Sequence, residues 1–242
     1  MVYNITEKET QPSVWSHING PESEVLDRIR VSELCKGWPV YRDASEWNNF
    51  RDLFVDEGGY IFTTWSGGVT VDEFIEVSKK GRARGDFIMH REIGTLVDLN
   101  PKNGRAVGKM KATITQRFNI DGIPVDIECD TRFIFFVRKV SEGPNGPVWK
   151  VQYYKVFYEK DKVVPVDGHT VPIFDPRVLE LFPEGYRYLG AAQSTLGHKV
   201  LRDLPTMNNE GFYNMYKAIP AWLEGNPVSK LLNIPESAHT SY

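Results

Sequence analysis

The fold is decided by four segments, FIMHREIGTLVDL (87–99), AVGKMKATITQRFNI (106–120), VDIECDTRFIFFVRKV (125–140) and VWKVQYYKVFYE (148–159). Each segment is rich in the β-branched and aromatic residues that favour strands. Asp121–Gly122 is a hairpin-turn signal between the second and third segments. All four exceed the usual strand length of about five or six residues. The sequence therefore predicts an antiparallel meander of long, curved strands.

Helices are predicted on both sides of this meander. Apolar residues at helical spacing predict a first helix after Pro21, and Ser45 is the predicted N-cap of a second helix that ends before Gly58–Gly59. Residues 60–65 predict one early strand, followed by a turn at Gly67–Gly68. Thr70 and Glu73 form a capping box that opens a third helix. Short helices are predicted near the C-terminus at 176–182, 186–196 and 210–223.

The order of these elements predicts an α+β fold. Helices that precede an antiparallel meander cover one face of its sheet. We expect a cone-shaped curved sheet wrapped on the N-terminal helices, with a helical and irregular C-terminal extension. The predicted organisation is an arm (1–20), a cone domain (21–162) and an extension (163–242) packed on the same domain. Such a cone has an open mouth that suits a small organic molecule.

Composition excludes several other classes of protein. The formal net charge is −3 over 242 residues, and the basic run at 79–84 is interpreted as a solvated helix end, so we expect no nucleic-acid partner. No segment approaches 18 apolar residues, so we expect no membrane span. Only Cys35 and Cys129 are present, which favours the reducing cytoplasm. No metal-ligand spacing or phosphate-binding loop is found, and no cofactor is expected.

Two short strings resemble the SnoaL-like branch of the nuclear-transport-factor-two and ketosteroid-isomerase superfamily, with the scytalone dehydratases as nearest functional relatives. In YRDASEW (41–47), Asp43 lies four residues before Trp47, as in the dehydratases. In MHREIGT (89–95), His90 lies where these enzymes carry one of two catalytic histidines. The second histidine precedes a Gln-Arg-aromatic string. Here that string is 116–118, and Thr115 stands in place of the histidine.

The resemblance implies a proton shuttle at His90 that is oriented by Asp43. A histidine with an ordinary pKa near 6.5 can take and return a proton at neutral pH. The residues expected to bind the substrate are Tyr41, Tyr60, Trp65, Thr115, Thr131, Phe133 and Tyr154. Tyr153 and Tyr158 are further aromatic candidates. Alternation on the last strand puts Tyr153 and Tyr154 on opposite faces but does not decide which of them faces the cavity. The resemblance favours Tyr154.

The third strand has one charged face and one apolar face. Asp126, Glu128, Asp130 and Arg132 share the charged face. The resemblance places Thr131 inward, which turns the charged row outward. In the opposite orientation, Asp130 would replace Asp43 as the candidate base.

The leading functional hypothesis is a cofactor-independent lyase or isomerase, dehydratase-like or cyclase-like, that acts on a small cyclic or polyketide-derived molecule of secondary metabolism. The alternatives are a non-catalytic small-molecule-binding or subunit-assembly module of the same fold, and an accessory subunit that resembles the small subunit of ring-hydroxylating dioxygenases. We expect a homo-oligomer, a dimer or a trimer, that pairs through the outer face of the sheet. Aromatic residues of the C-terminal extension are a competing cover for that face.

Overall fold

The computed structural model describes residues 16–207 and 209–235, so the predicted arm lies outside the described residues up to position 15. One six-stranded sheet dominates the fold, in the order β2-β1-β6-β5-β4-β3. Its strands are β1 (Tyr60–Thr63), β2 (Gly67–Thr70), β3 (Ile88–Asn100), β4 (Arg105–Ile120), β5 (Ile123–Gly143) and β6 (Gly146–Pro165). All neighbours are antiparallel except β1 and β6, which are parallel. The predicted α+β fold is confirmed.

The hairpin prediction at Asp121–Gly122 is also confirmed. Both residues adopt positive φ, +52° and +83°, as a tight two-residue turn between β4 and β5 requires. The predicted turn at Gly67–Gly68 lies slightly earlier, at residues 64–66; Gly67, with a φ of +71°, and Gly68 begin β2, which pairs with β1. A Cβ atom on Gly68 would lie 2.6 Å from the Phe62 ring, so glycine is needed here for close packing rather than for a turn.

From residue 16 onward, the α-helices that precede the meander are α1 (Val25–Ala44), α2 (Trp47–Asp52) and α3 (Val71–Ala83). The capping box of Thr70 and Glu73 opens α3 as predicted. Ser45 is not the N-cap of α2. It has a φ of +61° and ends α1, and its backbone N–H donates to the carbonyl of Arg42. Glu46 precedes α2 instead. The left-handed conformation of Ser45 turns the chain between the two helices.

We call the face of the sheet that carries α1 the inner face. Trp38 of α1 packs there against Phe133 and Phe135 of β5. Thr131 shares this inner face, and the charged row of β5 points outward as predicted. On the outer face the row forms cross-strand ion pairs, such as Arg117 with Asp126 and Arg91 with Glu128. This orientation removes Asp130 as an alternative base in the cone.

The edges of the sheet are β2 and β3. β3 is irregular because the register shifts between Glu92 and Gly94. Near its C-terminal end, the backbone of Leu99 forms two hydrogen bonds with the backbone of Ser16 (2.6 and 2.8 Å). The contact with Ser16 lies along the outer side of β3, whereas the register shift lies in its pairing with β4.

In its described part, the C-terminal extension forms the α-helices α4 (Pro176–Leu179), α5 (Arg187–Thr195), α6 (Glu210–Leu223) and α7 (Ser229–Leu232). α6 packs on the outer face of its own chain. Trp222 contacts the rings of Phe136 and Tyr153, and its indole N–H donates to the carbonyls of Ala106 and Val137. The extension therefore covers part of the face that was expected to pair with another subunit. No helix in the described part of the chain is long and apolar enough to cross a membrane.

Candidate active site

A narrow cavity lies between the inner face of the sheet, helix α1 and helix α5. Its lining comprises Trp38, Arg42, Thr63, Thr64, Trp65, Phe74, Ile88, His90, Ile114, Tyr154, Val156, Tyr158, Leu189 and Gln193. The open space accommodates about one ordered water molecule. Apolar walls with a few polar groups are typical of small-molecule sites. A larger ligand requires side chains at the cavity wall to move.

His90 and Asp43 form a closely coupled pair at this cavity. One Asp43 carboxylate oxygen lies 2.8 Å from the His90 ring Nδ1, and the other accepts the backbone N–H of His90 at 2.6 Å. Asp43 comes from the last turn of α1 and His90 from the start of β3. Because β3 is an edge strand, the backbone N–H of His90 is available for a side chain instead of a neighbouring strand. The helix end thus fixes both the strand and the imidazole.

The charge states of this pair follow from burial and hydrogen bonding. Burial lowers the pKa of the His90 imidazole, and this effect exceeds the opposing influence of Asp43. Burial also raises the pKa of Asp43, but the hydrogen bonds from His90 and the charge of Arg42 more than offset it, so the net pKa is lowered. At neutral pH the structure therefore favours a neutral imidazole beside an ionised carboxylate. The carboxylate holds the proton on Nδ1 and leaves Nε2 as the basic nitrogen.

Two tyrosine hydroxyls reach the cavity from β6. The Tyr158 hydroxyl accepts a hydrogen bond from the backbone N–H of Thr64 (3.1 Å) and also interacts with the Thr64 side chain. Tyr154 stacks on Trp38 with a ring separation of 3.7 Å and an angle of 11° between the planes. Burial raises the pKa of both tyrosines, which keeps the hydroxyls protonated at neutral pH. They are suitable hydrogen-bond donors to a ligand oxygen.

The extension completes the cavity. Leu189 and Gln193 of α5 belong to its lining. The Gln193 side-chain nitrogen donates to the Gln116 side-chain oxygen at 2.9 Å, which links α5 to β4. The Gln193 side-chain oxygen is buried without a hydrogen-bond partner among the described residues. A buried, unsatisfied acceptor at a cavity wall is suited to a donor group on a ligand or to a water molecule.

The structure brings three of the residues predicted from sequence to the cavity wall: His90, Trp65 and Tyr154. Asp43 lies behind His90 and contacts its ring rather than the cavity. Phe133 also acts through His90, because the two rings pack edge to face at 5.7 Å. Consecutive contacts join Asp43, His90, Phe133 and Tyr154, and Trp65 is linked to them through Arg42.

The other four predicted residues lie elsewhere. Thr115 pairs with Met89 across β3 and β4, so it lies on the sheet face opposite His90. The Thr131 hydroxyl donates to the carbonyl of Ala112, and the Tyr60 hydroxyl donates to the carbonyl of Gly68. Tyr41 packs against the hydrophobic core from α1. The structure does not bring Thr115, Thr131, Tyr60 or Tyr41 to this cavity.

Sequence reasoning missed Arg42 and Gln193. A signal for Arg42 was present, because Val31, Cys35, Trp38 and Arg42 follow the helical spacing of one buried face. A charged residue at such a position points to a special environment. Gln193 lies in a segment that has no local mark of function, and its place at the cavity depends on how the extension returns to the sheet.

Taken together, these groups provide a base and hydrogen-bond donors around one small space. The basic Nε2 of neutral His90 can accept a proton from a carbon or an oxygen, and Asp43 stabilises the imidazolium that forms. The tyrosine hydroxyls can stabilise negative charge on a neighbouring oxygen. Among the described residues, no cluster of three or more histidine, cysteine or acidic side chains is placed to hold a metal ion.

This combination of cone-shaped sheet and enclosed polar pair defines a SnoaL-like protein. The sequence model of the SnoaL-like domain matches residues 23–155, so the chain belongs to the SnoaL-like family. Two relatives from the fungus Fusarium vanettenii extend the similarity into the C-terminal extension. A PEP2-like protein is 44% identical, and pea pathogenicity protein 2 is 43% identical. Both alignments cover 90% of this chain and 95% of the relative.

Solved structures show a more distant likeness. A candidate scytalone dehydratase from Novosphingobium aromaticivorans has a TM-score of 0.46 and 13% identity, over 62% of this chain and 93% of that chain. A ketosteroid isomerase-like protein from Erwinia carotovora has a TM-score of 0.41 and 12% identity, over 56% of this chain and 96% of that chain.

Proposed function

We propose that this protein is a cofactor-independent lyase or isomerase, dehydratase-like or cyclase-like, that acts on a small cyclic or polyketide-derived molecule. His90 takes and returns the proton, and Asp43 orients the imidazole and stabilises its charged form. The observation that carries the proposal is the double contact of the Asp43 carboxylate with the ring and the backbone of His90. A carboxylate in this position fixes the tautomer that leaves Nε2 basic.

The electrostatics of the pair support a base rather than an acid as the resting form. The lowered pKa of His90 keeps the imidazole neutral at neutral pH. Nδ1 is occupied by Asp43, and among the described residues no hydrogen bond to Nε2 is present. Trp65 and Tyr154 line the cavity, and we assign them contact with a planar substrate.

A second candidate is a non-catalytic binding or assembly module of the same fold. Aromatic side chains inside the cone favour this second candidate. The stacked rings of Trp38 and Tyr154, together with Phe74 and Phe133, occupy much of the interior. The remaining space is small. The two candidates differ in one measurable property, namely whether the protein accelerates a proton transfer.

Hydrogen exchange in deuterated water tests the proposal. The protein is incubated with a panel of cyclic ketones and β-hydroxyketones, and NMR spectroscopy follows both deuterium uptake next to the carbonyl and loss of water. We expect acceleration by the wild-type protein and a loss of about 10²- to 10⁴-fold in His90→Gln. His169→Gln is the matched control, because His169 contacts Asp167 in an exposed loop. Equal rates for wild type and His90→Gln on every substrate would favour the binding module.

The expected homodimer and the cytoplasmic location stay predictions. α6 covers part of the outer face that was expected to form the dimer interface. Light scattering over a range of concentrations shows whether the outer face is covered by α6 of the same chain or by a partner subunit. A mass near 27.7 kDa means that the extension has taken the place of a partner subunit. A mass near twice that value supports pairing through the part of the outer face that carries the cross-strand ion pairs and that α6 leaves open.

A further inference from the structure

Arg42 carries a buried charge with few partners. The residue is 7% exposed and lies on the buried face of α1. Its Nη1 is 3.4 Å from the carbonyl of Ile88 and 3.5 Å from the carboxylate of Asp43, both at the long limit of a hydrogen bond. Its Nε is buried without a partner in the described part of the chain. A guanidinium that has lost its water is costly unless other groups replace that water.

Asp43 only partly neutralises this charge. Both carboxylate oxygens are engaged at shorter distances by His90, at 2.8 Å through Nδ1 and at 2.6 Å through the backbone N–H. The ring of Trp65 lies 5.7 Å from the guanidinium carbon, and Arg82 and Tyr154 are further neighbours that interact with its charge. A cation over an aromatic face is attracted to it, but the ring supplies no hydrogen-bond acceptor. Arg42 is thus available to an oxygen from outside the protein.

Arg42 also lies at a wall between two neighbouring cavities. Arg42, Trp65 and Ile88 line the cavity of His90 and also a second cavity, which His198 and Asp86 border. A ligand in either cavity therefore meets the guanidinium. In the first cavity the same ligand also meets the imidazole of His90.

We infer that Arg42 binds the carbonyl oxygen of the substrate and stabilises the negative charge that develops on it. This inference rests on the proposed function. In the reaction, Nε2 of His90 removes a proton from the carbon next to the carbonyl. The C–H electron pair forms a carbon–carbon double bond, and the carbonyl π pair moves to oxygen as an enolate that Arg42 stabilises. A permanently charged donor aimed at that oxygen is an effective stabiliser of the enolate.

The same enolate can lead to isomerisation or to dehydration, and the atom that receives the proton from His90 decides between these two reactions. In isomerisation of a β,γ-unsaturated ketone, the enolate is a dienolate, and the imidazolium returns the proton to its γ-carbon, so that the double bond moves into conjugation and the carbonyl re-forms. In dehydration, the carbonyl re-forms, the bond to a β-hydroxyl breaks, and the hydroxyl leaves as water with the proton from His90. Arg42 has the same role in both, because the enolate oxygen precedes either step.

Binding of 4-nitrophenol tests this role without a known substrate. The phenolate is a stable, planar oxyanion whose absorbance differs from that of the neutral phenol. We expect the wild-type protein to lower the apparent pKa of the bound phenol, and Arg42→Gln to raise it by about one unit or more. Arg84→Gln is the matched control, because Arg84 is exposed, pairs with Asp86 and lines neither cavity. That variant should keep the wild-type value.

Three results would overturn the inference: the same phenol pKa in Arg42→Gln as in wild type, an equal change in Arg84→Gln, or no binding by the folded wild-type protein. Deuterium exchange that needs His90 but not Arg42 would refute the role of Arg42 and leave the proposed function intact. Phenolate binding that needs Arg42, without catalysed exchange of any ketone, would instead refute the proposed function. Far-ultraviolet circular dichroism of each variant confirms that it is folded.

Discussion

The Asp161 carboxylate of β6 accepts a hydrogen bond from the backbone N–H of Leu189 at 2.8 Å. This contact joins the sheet to the first turn of α5, the helix that supplies Leu189 and Gln193 to the cavity. A carboxylate at a helix N-terminus interacts favourably with the free N–H groups there. The site therefore depends on an anchor in the extension as well as on the cone.

Asp161 predicts a pH-dependent contribution to stability. Burial raises its pKa to about 6, despite the opposing backbone hydrogen bonds from α5. The folded state therefore holds this proton more tightly than the unfolded state does, and the contribution of Asp161 to stability falls as the pH rises from about 4 to about 6. Asp161→Asn removes the ionisation. The stability of the variant relative to wild type should rise across this range by about 1–2 kcal/mol. Urea denaturation at pH 4.5 and 7.5 measures it, and a constant difference would contradict the assignment.

His90→Ala should leave the fold intact and remove catalysis. The side chain is largely buried but occupies a cavity wall, so the loss of packing is small compared with the loss of the base. We expect the rate of the catalysed step to fall by about 10²- to 10⁴-fold with a nearly unchanged far-ultraviolet spectrum. Kinetics on a compound that the wild type converts provide the check. Unchanged turnover would show that His90 is a structural residue.

Asp43→Asn should shift the titration of His90. The carboxylate favours the charged imidazolium, so its removal lowers the already depressed pKa of His90 further. The acid limb of the pH–rate profile should move to lower pH, and the maximal rate should fall because the imidazolium is no longer stabilised. NMR spectroscopy of the His90 ring protons reports the midpoint directly. A midpoint equal to that of wild type would leave Asp43 with a purely structural role.

Trp222→Ala should destabilise the protein but leave the cavity of His90 unchanged, because Trp222 does not line that cavity. Trp222 is 4% exposed, donates two hydrogen bonds to the sheet and lies under the guanidinium of Arg105, 3.9 Å from the ring centre. Removal of a buried tryptophan costs about 3–5 kcal/mol of unfolding free energy. Lys217→Ala, on the exposed side of the same helix, is the control and should cost little. A small effect of Trp222→Ala in urea denaturation would mean that α6 is not needed to cover the outer face.

Local patterns predicted the elements whose causes are local. The alternation of β5 separates Thr131 from Asp130, and the capping box of Thr70 starts α3 where the sequence indicates. Predictions that depended on distant contacts fared less well. Gly68 reads as a turn residue, but the ring of Phe62 sets its place in a strand.

The candidate site shows the same division. The resemblance paired His90 with Asp43, and the structure brings these two side chains into contact. Thr115 follows from the same short strings, yet strand pairing turns it to the other face of the sheet. Leu189 reaches the cavity only because the extension folds back over the sheet, and no local pattern encodes that path.

The contact between Asp43 and the backbone N–H of His90 also affects how this chain meets other chains. It occupies a free donor near one end of β3, Ser16 covers the strand at Leu99, and the register shift after Glu92 interrupts the stretch between them. The opposite edge, β2, is only four residues long. Blocked, kinked or short edges resist the addition of a foreign strand. Sheet extension between molecules is thus disfavoured at both edges, and the carboxylate proposed to orient His90 also helps to protect the protein from strand-mediated aggregation.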